Sequence, residues 1–151
     1  MLRRSKTDEA AHGPTRVLVV DDDPDACELV ARIIESAGWG AARAHSAEEA
    51  MSALVGGQPP FTALVLDFVG AGTDAALGVL EEVRRRPEVA DVAVVVVAAS
   101  RYDRDRVWQA GADGLLVRPF HADDLVNELY AVFTRTPDER AAFRAEQLAT
   151  G

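Results

Sequence analysis

The chain has 151 residues, 48% hydrophobic and 27% charged, which suits one packed domain with short extensions and excludes full-length disorder. The two ends cancel in charge, so residues 16–135 carry the whole net charge of −9, and an acidic domain argues against a nucleic-acid footprint. The longest wholly apolar run, Val92–Ala99, is too short to span a bilayer, and the lone Cys27 excludes an internal disulfide and a Cys-rich zinc site.

Residues 1–15 read as a flexible extension without the apolar core of a secretory signal, so the expected setting is the cytoplasm, with no membrane partner. Arg16–Val20 (RVLVV) is a short β-branched run ending in DDDPD, the pattern of a buried strand. Asp23 and Pro24 supply an N-cap and first helical residue. The helix they open runs to about Ala37, with Leu29, Val30, Ile33, Ile34 and Ala37 on one face, and Gly38 ends it. Gly40–Ala44 is a weak strand. Ser46 and Glu49 form a capping box for a helix through about Val55, and the GGQPP run breaks the chain. Thr62–Leu66 is a second apolar strand, ending at Asp67.

The Gly-rich loop Phe68–Asp74 leads to a helix over roughly Ala75–Arg86, with Leu77, Leu80 and Val83 inward. Arg84–Arg86 read as its solvated end, favoured by the helix dipole. Val92–Ala98 is a third apolar strand, Asp103–Ala110 a short helix, and Gly114–Val117 a fourth strong strand followed by Arg118-Pro119-Phe120. Asp123–Thr134 is a helix with Leu125, Leu129 and Val132 inward. Thr136–Glu139 is another capping box, predicting a helix over Pro137–Ala149 within a 136–151 extension. Trp108 is expected to be partly buried and Cys27 a small buried hydrophobe. His12, His45 and His121 form no ligand pair.

Strand and helix alternate five times, and fully apolar strands are covered on both faces. The pattern predicts a doubly wound α/β domain over 16–135, a five-stranded parallel sheet joined by right-handed crossovers. Ligands of such domains bind at the carboxyl ends of the strands. Two of those ends carry carboxylates: Asp21 and Asp22 after the first strand, Asp67 after the third. With both strands central, three like charges meet, and a hard divalent cation relieves them. Mg²⁺ suits an open site with few protein ligands. A metal-bound aspartate is also a nucleophile toward phosphorus. Asp67 stands alone and is the better acceptor; the pair is the better ligand set. Arg118 is placed to contact a phosphoryl oxygen or to hold Asp67, and Arg118-Pro119 is a candidate cis peptide. The spacing Asp21-Asp23-Asp25 is not an EF-hand, since no helix precedes it and Arg32 stands at position 12. A haloacid-dehalogenase-type phosphatase would need a catalytic lysine, and the sole lysine, Lys6, lies outside the domain.

The order VLVVDDD, TALVLD, VVVVAAS and GADGLLVRPF resembles the receiver domain of two-component response regulators, over about Arg16 to Arg135. The resemblance implies a flavodoxin-like (βα)5 fold with Asp67 as phosphoacceptor. It implies Mg²⁺ held by Asp21, Asp22, Asp67 and the backbone carbonyl of Val69, and a histidine kinase or phosphotransfer protein as donor. The expected reading is a stand-alone signalling domain rather than an enzyme. Its output would be protein–protein contact on the face of the fourth helix, last strand and fifth helix, and its state a monomer or weak dimer. The departures from the family lie in the readout. Ala98 stands where the family has Thr or Ser, with Ser100 two residues on. Arg118 replaces a lysine, Leu115 an aromatic residue and Ala71 a proline. Two alternatives follow: a phosphorylation-independent interaction module on the same fold, and a sink that drains a kinase of phosphate.

Overall fold

The computed structural model describes residues 15–57 and 59–150. His12 and nearly all of the expected flexible extension lie outside the described residues. The elements are β1 (Arg16–Val20), α1 (Pro24–Ser36), β2 (Gly40–Ala44), α2 (Ala47–Gly56), β3 (Ala63–Leu66), α3 (Thr73–Arg85), β4 (Ala93–Ala98), α4 (Arg104–Gln109), β5 (Gly114–Val117), α5 (Ala122–Phe133) and α6 (Pro137–Thr150). A 3₁₀ turn, Arg101–Asp103, precedes α4 and takes the first residues of the helix expected from Asp103.

All five strands are parallel, in the order β2-β1-β3-β4-β5. This is the flavodoxin-like doubly wound arrangement. Strand side chains alternate between faces, so the apolar strands fill two cores. Leu18, Val20, Leu64, Leu66, Val94 and Val96 pack with α2, α3 and α4. Val17, Val19, Ala63, Val65, Val95 and Val97 pack with α1 and α5. Val20 pairs with Leu66 in the register of β1 and β3, which sets Asp21 and Asp67 side by side at the two central strand tips.

Local capping is as the sequence indicates. The Asp23 side chain accepts from the N–H groups of Asp25 and Ala26, and Ser46 accepts from Glu49. Cys27 is buried between α1 and the sheet. Three expectations are corrected. Leu29 is 63% exposed, because the buried stripe of α1 runs through Cys27, Val30, Ala31 and Ile34; Ala37, the C-cap, is exposed too. Trp108 is fully covered rather than partly, because Phe143 of α6 lies edge-on to its ring. Arg84 is no solvated helix end. It turns beneath α3 to the carbonyls of Gly111, Ala90 and Val92 and to the buried Asp113. No helix among the described residues is long and apolar enough to cross a membrane.

Candidate functional site at the carboxyl edge of the sheet

Asp67 directly follows β3 and is 3% exposed. Its Oδ1 accepts from Arg118 at the tip of β5, through Nε at 3.1 Å and through Nη2. Its Oδ2 has no hydrogen-bond partner among the described residues. Burial raises the Asp67 carboxyl above its ordinary range. Arg118 opposes that shift, while the charges of Asp22 and Asp23 add to it. Of the two roles expected for Arg118, holding Asp67 is the one seen here. The Arg118-Pro119 peptide is cis.

Asp21 is wholly buried. Its Oδ1 accepts from the N–H groups of Asp23 (3.0 Å) and Val69 (3.1 Å). Its Oδ2 is buried with no hydrogen-bond partner among the described residues. Desolvation pushes this carboxyl up to about 6, with Asp67 and Asp22 contributing. Asp22 behaves differently. Both its oxygens are taken by the loop after β3, Oδ1 by the N–H of Gly70 (2.9 Å) and Oδ2 by that of Ala71 (2.8 Å). Those two donors, Gly70 first, hold Asp22 below the ordinary carboxylate range.

The loop chemistry explains its glycines. A Cβ on Gly70 would stand 2.7 Å from Asp22 Oδ2, so only glycine lets the backbone reach the carboxylate. Gly72 has φ +94° and turns the chain into α3. The carbonyl of Val69 accepts no hydrogen bond among the described residues.

These groups fit a hard cation. An orphaned buried oxygen on Asp21, an open oxygen on Asp67 and a free carbonyl on Val69 are all oxygen donors, and Mg²⁺ commonly takes one or two carboxylates while keeping its waters. Asp22 would join only by giving up its loop amides. Among the described residues no three His, Cys, Asp or Glu side chains stand grouped as a metal-holding set.

The readout positions are placed as follows. Ala98 is wholly buried and packs in the α2–α3–α4 core. Ser100 spends its hydroxyl capping the 3₁₀ turn, accepting from Tyr102 N–H at 3.1 Å. Leu115 is partly buried against the same core as Ala98, and its N–H donates to Glu128 of α5. Ala71 has its N–H engaged by Asp22, a bond that proline could not make. Sequence reasoning missed Thr73. Its Oγ1 accepts from the Ala99 N–H (3.1 Å) and donates to Asp103 (3.1 Å), tying the start of α3 to the loop after β4. A hydroxyl just after a Gly-rich strand-end loop was the available signal.

With this geometry in view, the family follows. Residues 17–130 match the model of the response regulator receiver domain, and the chain belongs to that family. It is 32% identical over 127 residues to the response regulator MprA of Mycobacterium tuberculosis, an alignment covering 84% of this chain and 54% of MprA. It is 28% identical over 123 residues to the DNA-binding dual master transcriptional regulator RpaA of Synechocystis, covering 80% of this chain and 50% of RpaA. The chain thus spans about half the length of these curated relatives. Among solved structures, a CheY-like receiver domain protein from Methanospirillum hungatei superposes with a TM-score of 0.68 at 21% identity, over 92% of this chain and all of that one. The receiver domain of a Francisella response regulator gives 0.70 at 21%, over 80% of this chain and 98% of that one. Receiver domains are signalling domains of two-component systems, and these likenesses in structure speak for the fold.

Proposed function

We propose that this domain accepts a phosphoryl group on Asp67 from the phosphohistidine of a histidine kinase or phosphotransfer protein, with Mg²⁺, and signals by protein–protein contact. The observation that carries the reading is the pair of carboxylate oxygens at adjacent strand tips that have no hydrogen-bond partner among the described residues, Oδ2 of Asp67 and the buried Oδ2 of Asp21. One is a nucleophile and the other a cation ligand. In the transfer, Asp67 Oδ2 bonds to phosphorus as the phosphorus–nitrogen bond of the donor breaks, and the released imidazole nitrogen takes a proton. Arg118 holds Oδ1 and so points Oδ2 outward. Asp22 fixes the Val69–Ala71 backbone beside the acceptor. A cation would be held by Asp21, Asp67 and the Val69 carbonyl, joined by Asp22 once it gives up its loop amides, and would screen the incoming charge.

A second reading, a constitutive interaction module, draws on Ala98, which offers no hydroxyl to follow a phosphoryl group, and on Ser100, whose hydroxyl is already a cap. A phosphate sink would use the same acids without a state-dependent partner. Intact-mass spectrometry after incubation with a small phosphodonor and Mg²⁺ decides first. A phosphoryl-sized gain that disappears in Asp67→Asn is the expected result. No gain in a chain that binds Mg²⁺ favours the constitutive module, and gain without altered partner binding favours the sink.

A further inference from the structure

No residue of α6 is itself buried, yet the helix closes over two groups that are: Trp108 of α4 and Asp113, just ahead of β5. The contact comes from residues spaced three and four apart on one helix face. Arg144 donates to Asp113 Oδ1 at 2.6 Å, and Arg140 Nε stands 3.4 Å from the same oxygen. Phe143 meets the Trp108 ring with centroids 5.8 Å apart. Nearer the end of α6, Arg104 of α4 donates to the Gln147 side chain at 3.0 Å.

Asp113 divides its oxygens between the domain body and α6. Oδ2 is satisfied from within, by Arg84 (2.7 Å) and by the Val94 N–H (2.8 Å). Among the described residues, Oδ1 has partners only on α6. Without α6 the body would therefore present a carboxylate oxygen beside an indole. The fit of α6 to this surface is incomplete. Three buried side-chain polar atoms lack a hydrogen-bond partner among the described residues: one is Nε1 of Trp108, the residue Phe143 meets, and another is Arg140 Nε, whose 3.4 Å approach to Asp113 is an ion pair without a hydrogen bond. Buried polar groups left unpaired oppose association.

We propose that the surface beneath α6 is a helix-docking site with α6 as its resident, displaceable occupant. The partner it fits is a basic amphipathic helix carrying Arg-x-x-aromatic-Arg and an acceptor opposite the Trp108 indole. The free oxygen of Asp113 selects the arginines and the indole selects the aromatic ring. The unpaired indole N–H favours any helix that brings the acceptor α6 lacks. Only residues 134–136 separate α5 from α6. Such a short tether gives α6 an effective concentration of roughly millimolar, enough to mask the site until a better helix competes.

The test uses the full chain in a Trp39→Phe background, which leaves Trp108 as the only indole. Phe143→Ala with Arg144→Ala frees α6, and Trp108 emission moves to longer wavelength. The probe is a synthetic peptide of residues 136–150. It is expected to bind the freed chain at least tenfold more tightly than the chain with native α6, and to lose at least tenfold when it carries Arg144→Glu. A freed chain that keeps its circular dichroism but shows no emission shift, or no peptide binding at millimolar concentration, overturns the proposal. Hydrogen exchange on the unaltered protein tests the proposal independently. The α6 amides should exchange at least a hundredfold faster than those of β3, and equal protection overturns the idea even where the variants do not fold.

Discussion

Replacing Asp113 by asparagine probes the ionic centre that joins α3, α6 and the sheet. The carboxylate is 1% exposed and binds Arg84 at 2.7 Å, Arg144 at 2.6 Å and the Val94 N–H at 2.8 Å. Asparagine has nearly the same shape but only one acceptor oxygen. Whichever way the amide turns, its NH₂ faces a guanidinium, so a charge-assisted bond is replaced by a donor meeting a donor. Such bonds contribute about 1.5–3 kcal/mol each, and breaking a buried ion pair costs about 3–5 kcal/mol. Arg84 keeps three backbone carbonyls as partners, which holds the loss toward the lower end. We expect about 3 kcal/mol. For a chain of this size that lowers Tm by roughly 6–12 °C. Urea and thermal unfolding followed by circular dichroism at pH 7 measure it, and a cycle with Arg84→Met should return a coupling above about 1 kcal/mol. A solvated Arg84 predicts a change within about 0.5 kcal/mol. An Asp113→Asn loss below about 1 kcal/mol would refute the buried centre.

The acid pocket makes a pH prediction with the opposite sign to the usual acid denaturation. Asp21 titrates at about 6 when folded against an ordinary value of 3.8, so between those values the folded state binds more protons than the unfolded one. Its contribution to stability therefore falls as pH rises from about 4 to 6, and Asp21→Asn should gain up to about 3 kcal/mol at pH 7. MgCl₂ should raise Tm in the unaltered protein and leave Asp21→Asn nearly unmoved; equal responses count against a cation at Asp21. Arg118→Met removes the guanidinium that opposes the upward shift of Asp67, so the acid limb of phosphoryl uptake should move to higher pH, and an unshifted limb denies Arg118 that role. Burial pushes the Cys27 thiol up to about 11, so a thiol reagent at pH 8 should react only as fast as the fold opens. Rapid labelling of native protein would place Cys27 at the surface.

The elements were legible because each has a local cause. The strands RVLVV, ALVL and AVVVVA are apolar at every position but the first of RVLVV, which suits only a sheet covered on both sides. The caps Asp23, Ser46 and Thr136 are written as short-range patterns, and each is made in the structure. Asp67, the proposed acceptor, was legible too, as an isolated acid at the end of a buried strand. Leu29 and Trp108 were misjudged because exposure depends on what covers a face, and nothing in α1 or α4 alone encodes its neighbours.

Sequence alone determined the fold class, the strand tips that carry the candidate site, and the residue types of Asp21, Asp22, Asp67 and Arg118. Those follow from periodicity and from backbone rules that act over a few residues. Only the tertiary structure decided how the acids divide their work. Asp22 binds the loop amides because Gly70 lets the backbone come within reach, while one oxygen of Asp21 is left without a hydrogen-bond partner among the described residues. It likewise decided that Arg84, Asp113 and the arginines of α6 form one buried centre, since residues 84, 113, 140 and 144 meet only when α3, the β5 approach and the last helix are packed together. Long-range electrostatic pairing of this kind leaves no periodic trace along the chain.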